Sequence, residues 1–469
     1  MDLKKVFGNK VVKNFSYLTL GSIVSQLLML LTVIKITNEL SPLDYGTYSF
    51  IIAQGMLLIA ISELGTKSII IRTLAREPEK SNDLIVNGIK LRLITISATI
   101  GLYFIYNHFL GTLNSAQILL LGGYSLSTSL FYLLEHVFIG YQKMFFPSIV
   151  KSGMNFLYFL IVTLIPTHLF SIDILVISYI IITIIQTLSY FILLKKSKLI
   201  VGKTTTFLNS SKQLIIESWP YFTLMLLSLP MLHLSNNLLD INSDKEQVGY
   251  FNLAKKLMGP VQLVITFSLT AIFPNISAMF LQNRKRFRGL ISNGMSFFIG
   301  LTALFCFSFT LFSKDIILLV FSEKYLPAIK VIQFQVWYLF LNGINHFITV
   351  IFGASNREKL ITKVALVNLL ISAPFLYIGS LYGALGISLG FVISAVIYEF
   401  YIWHQFKKQL NIKISEEKLT WLLSLLLFMI SYSMSDASIY YKVILAVGFS
   451  GTYIAFAYKK VRSLSMVKT

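Results

Sequence analysis

Two adjacent ammonium groups, Lys255 and Lys256, stand inside the run 250–280, which is long enough to cross a bilayer as a helix. A cation deep in hydrocarbon costs on the order of 3 kcal/mol even on a lenient insertion scale. Either water and an anion compensate the pair, or both side chains snorkel to the outer interface, about 9 Å away along the helix at 1.5 Å per residue. Beside water, a diphosphate would suit them, because ammonium groups bind phosphate as point charges.

Polar residues recur around these lysines at helical spacing. Asn252, Gly259, Gln262, Thr266 and Thr270 share their face. His233, Asn236, Asn237 and Asp240 fall at i, i+3, i+4 and i+7 after Pro220 and Pro230. Gln335, Tyr338, Asn342, Asn345, His346 and Thr349 form a third stripe, and Ser22, Ser25, Gln26 and Thr32, with Lys35 further on, a milder fourth. Such stripes either face a wet cavity or join helices through hydrogen bonds worth about 0.6 kcal/mol each. In the stripes around Lys255 and Asn342, charged or long amide side chains recur over several turns, which favours the cavity; for the stripe around Gln26 both readings stand. The substrate-binding candidates are Lys255, Lys256, Asn252, Gln262, His233, Asn237, Gln335, Asn342, His346, Gln26 and Lys35.

A transporter driven by ions needs a carboxylate whose proton affinity its surroundings can raise, and Glu63, Glu135, Asp240 and Glu399 are the candidates. Plainer roles compete with this one. Glu63 can pair with Lys67 one turn on, Glu135 adjoins His136, and Glu399 lies close to the inner interface. Pro220, Pro230, Pro260 and Pro274 interrupt two spans and free backbone carbonyls there, as a bending gate or a static kink would. Val201-Gly202-Lys203-Thr204 imitates the end of a phosphate-binding loop, but Ser197 occupies the position of the first glycine and no strand precedes it. No zinc-ligand cluster, nucleophile elbow or dinucleotide fingerprint is present, so neither metal nor cofactor is expected. Cys306, the one cysteine, lies in an apolar run and reads as a small filler.

The elements that must position these groups are membrane helices. Of 469 residues, 55% are hydrophobic and 13% charged, and the mean hydropathy is +0.74, far from a soluble balance. Fourteen spans are read, at 14–36, 45–66, 86–107, 117–140, 148–167, 172–194, 214–238, 250–280, 290–312, 328–352, 360–379, 382–405, 418–435 and 438–458. The first is retained, since the run behind Lys4, Lys5, Lys10 and Lys13 has no small-residue cleavage site. A net charge of +20 would suggest nucleic acid in a soluble chain, but here it falls in alternate short loops, the pattern of the positive-inside rule. Lys67, Arg72, Arg76 and Lys80; Lys143 and Lys151; Lys195 to Lys212; Arg284 to Arg288; Arg357 to Lys363; and Lys407 to Lys418 all fall on the side of both termini, and Lys90 and Arg92 are counted with them. Lys314 to Lys330 is the exception, with three lysines on the other side.

The polar connection Lys195 to Lys212 divides the first six spans from the next six, and each half carries a glycine-aromatic element entering its second helix: Asp44-Tyr45-Gly46-Thr47-Tyr48-Ser49 and Gln247-Val248-Gly249-Tyr250-Phe251-Asn252. The fold class expected is an all-α polytopic membrane protein of about fourteen transmembrane helices. Its two six-helix lobes, 1–196 and 213–408, are related by a pseudo-two-fold along the membrane normal, since six is even. Residues 197–212 form the cytoplasmic linker and 409–469 add two C-terminal spans and a cytoplasmic tail.

The run Glu39-Leu40-Ser41-Pro42-Leu43-Asp44-Tyr45-Gly46-Thr47-Tyr48, followed by Glu63-Leu64-Gly65 and Arg72, resembles the opening of the polysaccharide-biosynthesis flippases that translocate O-antigen or capsule repeat units. So do Gln247 to Leu257, with Phe273-Pro274 closing the same helix, and Tyr382-Gly383-Ala384-Leu385-Gly386. The resemblance covers about the first 405 residues, and its motifs are shared across the multidrug/oligosaccharidyl-lipid/polysaccharide exporter superfamily, with its multidrug (MATE) exporters and lipid II flippases. It implies a cationic cavity between the lobes, lined by Lys255 and Lys256, in a transporter rather than an enzyme. Glu63 stands where relatives often have aspartate, span one lacks a clear cavity arginine, and the last two spans exceed the family's twelve.

The function expected is alternating-access transport of an undecaprenyl-diphosphate-linked oligosaccharide from the inner to the outer leaflet of a bacterial plasma membrane. Membrane lipids are partners, H+ or Na+ the coupling ion, polysaccharide polymerase machinery a further partner, and nucleic acid none. The alternatives are a cation-coupled multidrug exporter, which should prefer acidic and aromatic cavity residues, and a membrane-embedded polymerase, which would need acidic or arginine-rich outer loops.

Overall fold

The computed structural model describes residues 9–202, 204, 206–282, 284–410 and 417–466. Lys4, Lys5, Lys203 and Lys413 lie outside them, as do the side chains of Lys10, Lys13, Thr270, Phe273, Pro274, Arg284, Lys285, Arg286 and Lys418. The described residues form helices and no strand, in two compact units, Met1–Gly249 and Tyr250–Thr469.

The first unit holds α1 (Asn9–Glu39), α2 (Pro42–Glu63), α3 (Thr66–Arg76), α4 (Ser81–Leu110), α5 (Ser115–Gly140), α6 (Phe145–Leu164), α7 (Ile172–Lys196), α8 (Phe207–Asn242) and the first turn of α9 (Lys245–Gln282). Helix α5 is central and touches α2, α3, α4, α6 and α7; α1 lies along α6, and α8 packs on α2, α3 and α4. Serine and asparagine side chains act as rungs between α6 and α1. Ser148, Ser152 and Asn155 donate to the carbonyls of Tyr17, Gly21 and Ser25 at 2.6, 3.0 and 3.1 Å, so part of the stripe on α1 lies beside an interhelical seam. Tyrosines fill the middle: the hydroxyls of Tyr48 and Tyr158 meet at 3.0 Å, and Tyr179 packs on Tyr124 and Tyr158.

The span expected at 45–66 ends at a sharp corner. Leu64 and Gly65 both take positive φ (50° and 71°), and the short α3 turns away toward α8. A Cβ on Gly65 would lie 2.6 Å from the Phe222 nitrogen and 2.9 Å from the Ser218 carbonyl oxygen, so both conformation and space require glycine. The connection after α7 is strapped to the same end of the unit. Ser81 Oγ donates to the Val201 carbonyl at 3.0 Å and accepts from its N–H at 2.8 Å, Asn82 donates to Gly202, and the Tyr141 hydroxyl donates to Leu199.

The second unit contains the rest of α9, then α10 (Arg284–Leu311), α11 (Ser313–Val320), α12 (Ala328–Ala354), α13 (Glu358–Ser380), α14 (Gly383–Leu410), α15 (Glu417–Ser433) and α16 (Ile439–Met466). Helix α14 packs on α12 and α13, and α10 packs on α12, α15 and α16. The two added helices are fastened by charge as well as by apolar contact. Lys442 binds Asp315 at 2.5 Å, Lys314 binds Asp436 at 2.8 Å, and the Tyr453 hydroxyl donates to the Phe297 carbonyl at 2.9 Å. The hydrogen bond and charge of Lys314 hold the Asp436 carboxyl below its usual range. Lys314 is thus occupied in a local pair, which accounts for one exception to the charge rule.

Among the described residues ten helices are long and apolar enough to cross a membrane. The other four expected spans fall on helices α8, α9, α15 and α16. Of these, α8 and α9 carry polar stripes, which lower their mean hydropathy, and α15 is only 17 residues long. Both α8 and α9 continue as helix through their prolines.

The N-termini of α2 and α9 cross at the two glycine-aromatic elements. A Cβ on Gly46 would run into the Lys245 carbonyl oxygen, and one on Gly249 would lie 2.5 Å from the Pro42 carbonyl oxygen and 3.2 Å from the Gly46 nitrogen. Gly46→Ala or Gly249→Ala should therefore destabilise the purified protein by about 1–3 kcal/mol or more, read as a lowered melting temperature in detergent. Gly153→Ala, on α6 with open space around it, should leave it unchanged or raise it, by about 0.5–1 kcal/mol at most.

Candidate functional site

The polar groups of the first unit form two clusters. Beside the crossing, Asp240 at the end of α8 pairs with Lys245, accepts from Thr112 Oγ at 2.8 and 2.9 Å, and is nearly inaccessible. The Lys245 ammonium also lies 3.4 Å from the centre of the Phe50 ring. One turn back, Gln54 Nε2 donates to Asn237 Oδ1 at 2.6 Å, and the Asn237 amide donates to the His233 carbonyl. Asp240 is thus one half of an ion pair, and Asn237 joins α8 to α2.

The second cluster surrounds the end of α2. Glu63 does not use Lys67: its Oε1 lies 3.5 Å from His136 Nδ1 and 4.0 Å from the Arg92 guanidinium, and Arg92 also approaches Thr66 Oγ1 at 3.4 Å. The side chains of Arg92 and His136 are only 2% and 5% exposed. Glu63, Arg92, Ser62, Thr66 and Gly88 line a small cavity of ≈10 Å³. Arg92 Nη1 and His136 Nδ1 have no hydrogen-bond partner among the described residues, so the site can take up a water or a proton carrier. Glu135 is buried beside it. Further toward the linker, Arg72 binds Glu217 at 2.7 Å and Ser210 donates to Asp83 at 2.7 Å, closing α3 and α4 onto α8.

In the second unit, Lys255 is exposed, with its ammonium 5.4 Å from the Phe251 ring, and Lys256 is half-buried. Asn252 is buried beside them, while Gln262 is half-buried and its carbonyl accepts from Thr266. Proline has no N–H, so Pro260 leaves the carbonyl of Lys256 without its helical partner.

The stripe on α12 serves two purposes. Gln335 is buried and donates to Ser388 Oγ at 3.0 Å, which makes it a tie between α12 and α14. Asn342, Asn345, His346 and Thr349 instead line a cleft of ≈430 Å³ faced by Asn368 of α13 and Tyr398 of α14. Glu399, expected close to the interface, is 1% exposed, and neither carboxylate oxygen has a hydrogen-bond partner among the described residues. Among the remaining candidates, Gln26 and His233 are half-buried, and Lys35 is paired with Glu39 at 2.6 Å.

Sequence reasoning missed three contributors. Arg92 was counted with the loop charges, although it stands seven residues inside the span 86–107. Lys245 lies in the turn between two spans, and Asn368 is a lone amide in an apolar run. Among the described residues no group of three or more His, Cys, Asp or Glu is placed to hold a metal.

The fold has solved counterparts. A structure of the lipid II flippase MurJ in an inward closed conformation superposes with a TM-score of 0.74 at 17% identity, over 95% of this chain and 99% of that one. An inward-facing multidrug resistance MATE family transporter of the MOP superfamily gives 0.65 at 15% identity over 82% and 95%. The MATE transporter VcmN of Vibrio cholerae gives 0.58 at 16% over 85% and 97%. No curated protein sequence matches the chain. The family model described as polysaccharide biosynthesis protein matches residues 11–280. That stretch is more than half of the chain and contains the glycine crossing, the Glu63–Arg92 cluster and both lysines of α9, and the chain belongs to this family.

Proposed function

We propose that the chain is a flippase that moves an undecaprenyl-diphosphate-linked oligosaccharide from the cytoplasmic to the outer leaflet of a bacterial plasma membrane, for O-antigen or capsule synthesis. The observation that carries the reading is the lysine pair, Lys255 exposed and Lys256 half-buried, on a membrane-length helix within the family stretch. A cation placed there needs water or an anion, and a lipid diphosphate supplies two phosphates. The family description supports the polysaccharide pathway, and the likeness to a lipid II flippase supports a lipid-linked cargo.

In this reading residues 1–196 and 213–408 are lobes that alternate access, 197–212 joins them, 409–469 is a peripheral addition, and both termini are cytoplasmic. Lys255, Lys256, Asn252 and Gln262 bind the diphosphate end. Moving negative charge outward against an inside-negative potential gains about 2.3 kcal/mol per charge per 100 mV. The lysines therefore need only bind and release, and entry of H+ or Na+ at Glu63, Glu135 or Glu399 resets the protein.

A strain lacking the protein should accumulate the lipid-linked repeat unit on the cytoplasmic leaflet; single units already facing outward would point to a polymerase instead. Lys255→Ala combined with Lys256→Ala should fail to restore surface polysaccharide while inserting at the wild-type level. Normal polysaccharide at matched protein level would remove both lysines from the site.

The coupling role of Glu63 requires a carboxylate held by its neighbours. Removing one member of a buried charge pair costs about 3–5 kcal/mol, because the other is left uncompensated. Glu63→Gln and Arg92→Met should each destabilise, and the double variant should lose clearly less than the sum of the two. Denaturation of the four proteins in detergent measures this, and additivity within about 0.5 kcal/mol would show the groups to be independent.

A further inference from the structure

We infer that the cleft between α12, α13 and α14 is a subsite for an uncharged, hydroxyl-rich sugar, distinct from the lysines that take the diphosphate. Its volume, ≈430 Å³, falls within the roughly 300–1,000 Å³ of small-molecule sites. Asn342, Asn345, His346 and Thr349 stand at i, i+3, i+4 and i+7 on α12, so one helix face presents four polar side chains to the same space. Among the described residues no Asp, Glu, Lys or Arg lines it.

Thr349 donates its hydroxyl to the Asn345 main-chain carbonyl at 2.8 Å, but the amides there are not all consumed by packing. Asn345 is only 8% exposed, yet its Oδ1 has no hydrogen-bond partner among the described residues. An unmade hydrogen bond of this kind costs about 1–3 kcal/mol, which a ligand hydroxyl would recover. On the facing wall the Asn368 carbonyl oxygen accepts from Ser372 at 3.2 Å, which orients that amide. Amides both donate and accept, as sugar hydroxyls do. Val350, Val364, Ala365 and the Tyr398 ring supply apolar surface for the carbon faces of a pyranose.

Absence of charge sets the specificity. A phosphate or sugar carboxylate would be desolvated there without a counter-charge, which is costly, whereas a neutral ring exchanges water for amide partners. The cleft also lies in the half of unit 2 that leads to the basic loop at Arg357, Lys359 and Lys363, the side from which cargo would load.

This subsite rests on the flippase reading, and two probes separate the fate of each. The full chain in lipid nanodiscs is titrated with undecaprenyl diphosphate and with the lipid-linked repeat unit extracted from the native host. Wild type should bind the glycosylated lipid about tenfold or more tighter than the bare one. Asn345→Leu, and separately the half-buried His346→Leu and Asn342→Leu, should erase most of that difference while keeping the affinity for undecaprenyl diphosphate and the melting temperature. A preference that survives in every variant of unchanged melting temperature overturns the subsite and leaves the flippase reading standing. A repeat unit whose sugar nearest the diphosphate is acidic, bound with the same preference, also overturns it. If wild type binds neither probe, the flippase reading falls and the subsite falls with it.

Discussion

Two helix N-termini, those of α2 and α9, approach so closely that neither Gly46 nor Gly249 can carry a side chain, and the polar arrangement of unit 1 depends on that contact. Each helix starts from a capping side chain five residues earlier. Ser41 accepts from the Asp44 N–H at 3.1 Å, and Asp244 accepts from the Gln247 N–H at 2.8 Å. Identical spacing of cap and glycine gives the repeated sequence element a physical meaning, since the two copies are each other's packing partner. Bringing two N-termini together also juxtaposes two positive dipole ends of about half a charge each. Asp44 in the first turn of α2 and Glu246 in that of α9 oppose this repulsion.

The contact fixes the α8–α9 turn and sets the register of α2. Lys245 can then reach both Asp240 and the Phe50 ring, and Gln54 meets Asn237 one turn further along. Near its other end α2 delivers Glu63 to Arg92 and His136, with the Leu64–Gly65 corner releasing the chain into α3. Clusters at the two ends of one helix are therefore held by a single rigid element anchored at a glycine. Changes at Gly46 would disturb Glu63 as well, although some 17 residues, about 25 Å of helix at 1.5 Å per residue, lie between them.

Periodicity and hydropathy made the helices legible, because a bilayer imposes one length and one solvent on every span. The stripe of Asn342, Asn345 and His346 was legible for the same reason, as polar groups at i, i+3 and i+4 must share a face. What lies opposite a face is not written in its own helix. Gln335 belongs to the same stripe but meets Ser388, and Asn368, alone in an apolar run, gained significance only from its place across from His346. Arg92 was hidden by counting charges as topology, which treats any arginine near a loop as part of that loop. Its burial depends on Glu63, His136 and Thr66, which come from three other helices. The short α3 beyond the Leu64–Gly65 corner was not legible as a helix, because Lys67, Arg72 and Arg76 mark it as a charged loop.

Both units pair some of their charges and leave other polar groups open. In the first, Asp240 meets Lys245, Arg72 meets Glu217, and Glu63 approaches Arg92 and His136, yet Arg92 Nη1 and His136 Nδ1 lack hydrogen-bond partners among the described residues. A paired charge has already exchanged water for protein, so holding it there demands nothing further from a ligand. In the second unit Lys314 and Lys442 meet Asp436 and Asp315, while the Glu399 oxygens and Asn345 Oδ1 lack hydrogen-bond partners among the described residues. Burying such groups without compensation would cost several kcal/mol in total, and a chain that keeps them must recover that energy from water, a proton or cargo. The unpartnered atoms of both units, on Arg92 and His136 in the first and on Glu399 and Asn345 in the second, are therefore the places where water, a proton or cargo completes the protein.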